Sequence, residues 1–269
     1  MGNYKTPKIS VVTVVLNGAA SIEKTFKSIL EQEYSNIEMI VIDGGSTDET
    51  LDIIKRYADK IAYWESGLDH GISDAFNRGI LRTSGDLVAI LNSGDQWLPS
   101  AAMEVMQAYE LHSDADIFYG NIQFLDARCG ETYVVPSNVE GIQKRMSVFH
   151  PCLFVRKKVY VDIGEYSNDY KYAMDSHWVH RAIKDDVRFV KIDANLAQMR
   201  LGGISDKHYV KSLNEYRRSL VENELLGWVE AGYYFLKYSF FKTLFRLKVM
   251  KKFKNKISIM YNNKNKTFH

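Results

Sequence analysis

The sequence is poor in residues that staple, kink or export a chain. Two cysteines among 269 residues, Cys129 and Cys152, cannot build a disulfide framework. A single bridge is the alternative to two thiols. The thiols are preferred because Met1 to Lys8 is polar and the apolar run Ile9 to Leu16 is too short to export or span, so a reduced cytoplasm is expected. Only four prolines interrupt a chain that is 46% hydrophobic, enough to bury a sizeable core. Phosphate-binding glycine motifs are missing as well. Neither GxGxxG nor GxxxxGK[ST] follows any apolar run, and the pair Gly44-Gly45 leads into Ser46-Thr47-Asp48.

Acidic residues are missing from one region altogether. Ala231 to His269 holds ten Lys or Arg and no Asp or Glu, so the tail carries about +10 and the body about −8 behind a net +2. Tyr233, Tyr234, Phe235, Tyr238, Phe240, Phe241, Phe245 and Phe253 lie among those cations, a mixture suited to an anionic lipid surface. Lys237, Lys242, Arg246 and Lys248 break every stretch long enough to cross a bilayer, so the expectation is a helix lying on the membrane. Packing on the body or on a second subunit, as in a homodimer, is the alternative. Nucleic acid is disfavoured, because the apolar positions run nearly all round the helix.

What is present is an α/β pattern. Strands are expected at Ile9 to Leu16, Met39 to Ile42, Ile61 to Trp64 and Leu87 to Leu91, with helices at Ser21 to Glu33, after a Ser46/Glu49 capping box, and at Ser73 to Leu81. This alternation builds a mostly parallel sheet with flanking helices. A hairpin is expected from Ile117 to Leu125 and Thr132 to Val135, then a strand at Cys152 to Val155, a helix at Asp175 to Lys184 and extended segments at Val187 to Ile192 and Asn195 to Leu201. Ser205 or Asp206 is expected to cap a long helix. The expected division is a domain over 1–227, in two halves at 1–116 and 117–227, followed by a helical tail at 228–269.

In an open parallel sheet, ligands bind beyond the carboxyl ends of the strands. Asn17, Asp43, Asp69, Asp74, Asn92 and Asp95 follow the first four strands. Each alone has an ordinary reading as a turn or cap residue. Acidic groups gathered at one edge suit a cation or a polar ligand, and their oxygen donors favour Mg²⁺ or Mn²⁺.

The runs VVTVVLNGAASIEKTFKSILEQEYSNIEMIVIDGGSTDET and WESGLDHGISDAFNRGILRTSGDLVAILNSGDQWLP resemble the family 2 inverting glycosyltransferases with the GT-A fold, of the bacterial polysaccharide and O-antigen type. The likeness spans about residues 8 to 205 and implies that 1–116 is a nucleotide-sugar half and 117–227 an acceptor half. It implies that Thr13, Val15 and Asn17 line a nucleotide base, that Asp43 hydrogen-bonds it, and that Asp74 and Asn77 flank the ribose and diphosphate. The family's Asp-x-Asp metal motif reads Asn92-Ser93-Gly94-Asp95 here, a departure that leaves Asp95 as the direct ligand, with Asn92 and Ser93 beside it. SVFHPCLFVRKKVYVDIGEYSNDYKYAMDSHWVHRAIK resembles the acceptor segment and puts Asp175 at the catalytic base and His150 near the donor. MRLGGISDKH resembles a segment closing over the diphosphate, which adds Arg200, Ser205 and His208. A core or turn histidine is an equal reading of His150, and His177 and His180 are read as surface or acceptor-cleft residues.

The resemblance implies transfer of a hexose or N-acetylhexosamine from a nucleotide diphosphate sugar, UDP by family habit. The acceptor would be a saccharide hydroxyl, polyprenyl-diphosphate-linked, at the inner face of a bacterial cell membrane. A degenerate noncatalytic homologue and a sugar-nucleotide pyrophosphorylase are the rival readings.

Overall fold

The protein is described by a computed structural model that covers residues 6–127 and 129–246. The basic run 247–269, including Phe253, lies outside the described residues. In the first half, β1 (Ile9–Val15), α1 (Ile22–Leu30), β2 (Ile37–Asp43), α2 (Thr50–Arg56), β3 (Tyr63–Ser66), α3 (Ile72–Leu81) and β4 (Leu87–Ile90) alternate as the periodicity predicts. There follow β5 (Gln96–Trp97), α4 (Ala101–Leu111), β6 (Ile117–Asp126), β7 (Glu131–Val135), β8 (Leu153–Arg156) and α5 (Lys157–Ile163). The chain continues through α6 (Met174–Lys184), β9 (Phe189–Arg200), α7 (Ile204–Lys207), α8 (Tyr209–Glu222) and α9 (Trp228–Arg246).

One sheet runs in the order β3-β2-β1-β4-β8-β6-β9-β5, with β7 on β6. The first four strands are parallel, so their carboxyl ends share one edge. β8 enters antiparallel beside β4 and brings the second half of the chain against that edge. Both faces of the sheet are covered. Alternation along β1 sends Ile9, Val11 and Val15 toward α1, α2 and α4, and Val12 and Val14 toward α3, α5, α6 and α8. The approach of α3 to β1 is closest at Gly79, where a Cβ would lie 2.3 Å from Val12 Cγ1.

Several expected boundaries differ for local reasons. No Ser46/Glu49 capping box forms, because the Ser46 hydroxyl is held by Asp43. Glu49 occupies the cap position, and Asp48 accepts the Thr50 amide at 3.0 Å. The two expected extended segments near 190 and 198 are one strand, β9, whose pairing with β6 shifts register between Tyr119 and Ile122. The segment expected to be capped by Ser205 or Asp206 begins as the separate short helix α7. Cys129 is exposed and Cys152 buried, and both are free thiols.

Candidate active site

The turn after β4 is pinned from α1. Thr25 Oγ1 donates to the Asp95 carbonyl at 2.8 Å and accepts the Gly94 amide at 3.0 Å, while Gly94 takes φ 104°, a left-handed turn that suits glycine. This places the Asp95 side chain, 11% exposed, opposite His150 at the start of the segment leading into β8. The His150 Nε2 atom lies 3.6 Å from Asp95 Oδ2, and its Nδ1 lies 3.6 Å from Asp175 Oδ2 in the first turn of α6. A single imidazole therefore joins carboxylates from the two halves of the chain. Sequence reasoning selected all three residues, and the fold brings them together.

The electrostatics of the three are coupled. Burial alone would lower the His150 pKa, yet hydrogen bonds and charge from Asp175 and Asp95 lift it to about 9. Burial pushes the Asp95 carboxyl up, against His150. Asp175 is also penalised by burial, but His150 and the Ser176 amide and hydroxyl outweigh this and hold it below the usual range. Asp175 is thus ionised at neutral pH, with 23% of its side chain open to solvent. Asn92 completes the cluster, its amide nitrogen 3.0 Å from His150 Nε2 and its Oδ1 buried without a partner. A protonated imidazole donates from both nitrogens, so in that state Asn92 must turn Oδ1 toward it.

Other expected site residues have different duties. Asp43 is 0% exposed, and its carboxylate already accepts the amides of Gly45 and Ser46 and the hydroxyls of Ser46 and Ser66. Three of these donors fall on Oδ2 and one on Oδ1, so the carboxylate holds the loop after β2 and keeps one acceptor site on Oδ1. Asn77 likewise spends both ends of its amide on the Tyr166 backbone, at 2.9 and 2.8 Å, which ties α3 to the second half instead of facing a diphosphate. Thr13 and Val15 are 0% and 6% exposed and point into the core, although the Thr13 hydroxyl has no partner there. The residues that this end of β1 does expose are Leu16 and Asn17, the latter at φ 51° and accepting the Thr47 amide at 2.9 Å.

Ser93 packs at the junction of β1 and β4, 3.0 Å from Ser21 Oγ. Asp74 accepts the His70 amide at 3.1 Å and faces Arg78 at 3.9 Å, at the mouth of the edge. Arg200 lies elsewhere, in a groove of about 600 Å³ with Lys24, Lys27, Gln96 and Trp97. His180 is a core residue, 0% exposed and 2.7 Å from Ser219 Oγ, and His177 stacks on Tyr170 at 4.1 Å. Ser205 Oγ donates to the Tyr172 carbonyl at 3.2 Å, and the His208 ring lies 5.0 Å from the Tyr172 ring. Sequence reasoning missed Glu215, which accepts three successive amides just before α6. Nothing in its helical spacing separates it from a solvated glutamate.

Known proteins resemble this chain in sequence and fold. An uncharacterized glycosyltransferase of Mycobacterium tuberculosis is 31% identical over 183 residues, which are 65% of this chain and 69% of that protein. Among solved structures, S. aureus TarS superposes with a TM-score of 0.65 at 19% identity, covering 90% of this chain and 46% of TarS. The chain thus spans less than half of that TarS chain, and the 1–349 piece of TarS has been solved with UDP-GlcNAc. The mannosyltransferase PcManGT of Pyrobaculum calidifontis, solved with GDP-Man and Mn²⁺, gives a TM-score of 0.63 at 18% identity over 86% of this chain and 70% of PcManGT. These likenesses establish the GT-A type of α/β fold. Residues 10–158, more than half of the chain, match Glycosyl transferase family 2, and the protein belongs to that family.

Proposed function

We propose that the protein transfers a hexose or N-acetylhexosamine from a UDP-sugar to a hydroxyl of a lipid-linked saccharide, with inversion at the anomeric carbon, in bacterial surface polysaccharide synthesis. The observation that carries this reading is the Asp95–His150–Asp175 chain, which sets an ionised carboxylate across from the strand edge where a nucleotide sugar would lie. Asp175 accepts the acceptor proton as the hydroxyl oxygen forms its bond to the anomeric carbon. The bond from that carbon to the diphosphate oxygen breaks, and the diphosphate leaves with the electron pair. His150 keeps Asp175 oriented and ionised and presents positive charge to the leaving side. UDP follows the habit of the family; of the two solved proteins that share this fold, TarS holds UDP-GlcNAc and PcManGT holds GDP-Man, so both nucleotides enter the test.

Mg²⁺ or Mn²⁺ fits the turn in a limited way. Among the described residues no three His, Cys, Asp or Glu side chains converge as a ligand set. Asp95 supplies one hard oxygen, and Asn92 Oδ1 supplies a second only while His150 is neutral, since the protonated ring claims it; a cation shared with a diphosphate needs little more from the protein. Bound there, it would offset charge developing on the diphosphate. The test is isothermal titration of UDP, GDP and dTDP, each with and without Mn²⁺, into the wild type and Asp95→Ala. Metal-dependent UDP binding that disappears in the variant is expected. Absence of binding by all three nucleotides would favour a degenerate homologue and end the transferase reading.

The proposal extends to peripheral attachment at the inner face of the cell membrane through residues 228–269. Among the described residues no helix is long and apolar enough to cross a membrane. α9 rests on the body through Lys242, which pairs with Asp206 at 3.5 Å and lies over the Tyr209 ring. Its outer face exposes Val229, Tyr233, Leu236 and Phe240, four residues at helical spacing in one stripe. Lys237 borders the stripe, and seven lysines without an acid follow in 247–269. An apolar stripe with a basic surround suits anionic lipid better than a second, equally basic copy.

A further inference from the structure

The helix that carries Asp175 has no cap of its own. Ala173 occupies the N-cap position of α6 and has no side chain able to accept the free amides of the first turn. The chain just before that turn is held from α8 instead. One oxygen of Glu215, Oε2, lies 3.1 Å from the Lys171 amide, 2.7 Å from that of Tyr172 and 3.0 Å from that of Ala173. The same stretch is held on its carbonyl side, since Ser205 Oγ and Ser212 Oγ donate to the Tyr172 carbonyl at 3.2 and 3.5 Å. The backbone two to four residues before Asp175 is therefore gripped from both edges by α7 and α8, which lie beyond the segment that matches the family.

We propose that Glu215 is a positioning residue for transfer: its carboxylate anchors residues 171–173, the chain entering α6, to α8 and thereby fixes Asp175 against His150. This rests on reading Asp175 as the base. The argument is geometric. Asp175 stands at the second position of α6, where a fraying first turn moves the side chain directly. Its link to His150 is a single 3.6 Å contact that cannot hold the turn alone. The carboxylate binds three donors at once and places negative charge at the positive end of the helix. Alanine removes the acceptor altogether, whereas glutamine keeps an oxygen but loses the charge.

The test compares wild type, Glu215→Ala, Glu215→Gln and Asp175→Asn, with UDP-GlcNAc as the donor and release of UDP as the measure of turnover. Three readouts are needed: amide hydrogen exchange, nucleotide affinity, and the separate kcat and donor KM of transfer. Glu215→Ala should speed exchange at Lys171, Tyr172 and Ala173 at least tenfold while leaving the central sheet protected. It should lower kcat at least tenfold with donor KM and nucleotide affinity within twofold, and Glu215→Gln should fall between it and wild type. If Glu215→Ala does not fold, an intermediate Glu215→Gln supports the proposal and a wild-type Glu215→Gln overturns it. Unchanged kcat, or parallel loss of kcat and nucleotide affinity, also overturns it. If Asp175→Asn keeps full activity, the base assignment itself has failed, an outcome separate from any result at Glu215.

Discussion

His180 connects the platform beneath Asp175 to solution pH. It lies on α6 with its Nδ1 2.7 Å from Ser219 Oγ on α8, while its Nε2 is buried without a partner. Burial, with a smaller contribution from neighbouring His177, lowers its pKa to about 3, against an ordinary 6.5. Above pH 6.5 neither the folded nor the unfolded chain protonates this residue, so it adds no pH dependence. Below 6.5 the unfolded chain takes up a proton that the folded chain refuses until about pH 3, so stability falls as pH falls through that window. At pH 5 the lag is roughly 1.5 units, about 2 kcal/mol at 1.36 kcal/mol per unit. His177, lowered to about 4 chiefly by burial, acts in the same direction. Urea unfolding at pH 7.5 and pH 5 on wild type and His180→Phe measures the effect. Phenylalanine retains a ring against Tyr216 and cannot titrate, so the pH-dependent loss should shrink by about 2 kcal/mol in the variant. Identical losses in both proteins would refute a neutral, buried His180.

Other consequences concern packing, ligand choice and attachment. Gly79→Ala should destabilise the protein by about 1–3 kcal/mol despite the better helix propensity of alanine, because the new methyl meets Val12; Val12→Ala in the same chain should recover part of the loss in thermal unfolding. Arg200→Ala should leave UDP affinity within twofold by calorimetry, since Arg200 lines the groove beside Lys24 and Lys27. A large loss would instead restore it to the diphosphate site. Leu236→Glu with Phe240→Glu should abolish sedimentation with phosphatidylglycerol-containing vesicles while the protein stays folded and active on a soluble acceptor. Retained sedimentation would remove α9 as the lipid-facing surface.

The alternating half of the fold was legible because apolar period and β-branched runs report burial locally. Ile9 to Val15 shows its strand in seven residues, and Phe26 and Ile29 show the buried face of α1. The second half was less so. The dipeptide β5 and the single strand β9 owe their form to pairing with distant partners, which no local pattern encodes. The site divided in the same way. Asp95, His150 and Asp175 come together because a strand end, the entry to β8 and a helix start position them. Asp43 and Asn77 match the same motifs, yet Asp43 is engaged by Ser66 and Asn77 by Tyr166, and that engagement is a tertiary property. Glu215 was invisible for the same reason, as its three donors arrive from a loop more than forty residues earlier.

The central claim is that Asp175 takes the acceptor proton. Its most direct test is the transfer rate of Asp175→Asn at saturating donor and acceptor. The amide keeps the shape and can still meet His150, but it cannot serve as a base. Loss of at least roughly a hundredfold, the lower bound for a positioned general base, is predicted with nucleotide binding intact. A rate within tenfold of wild type would contradict the account.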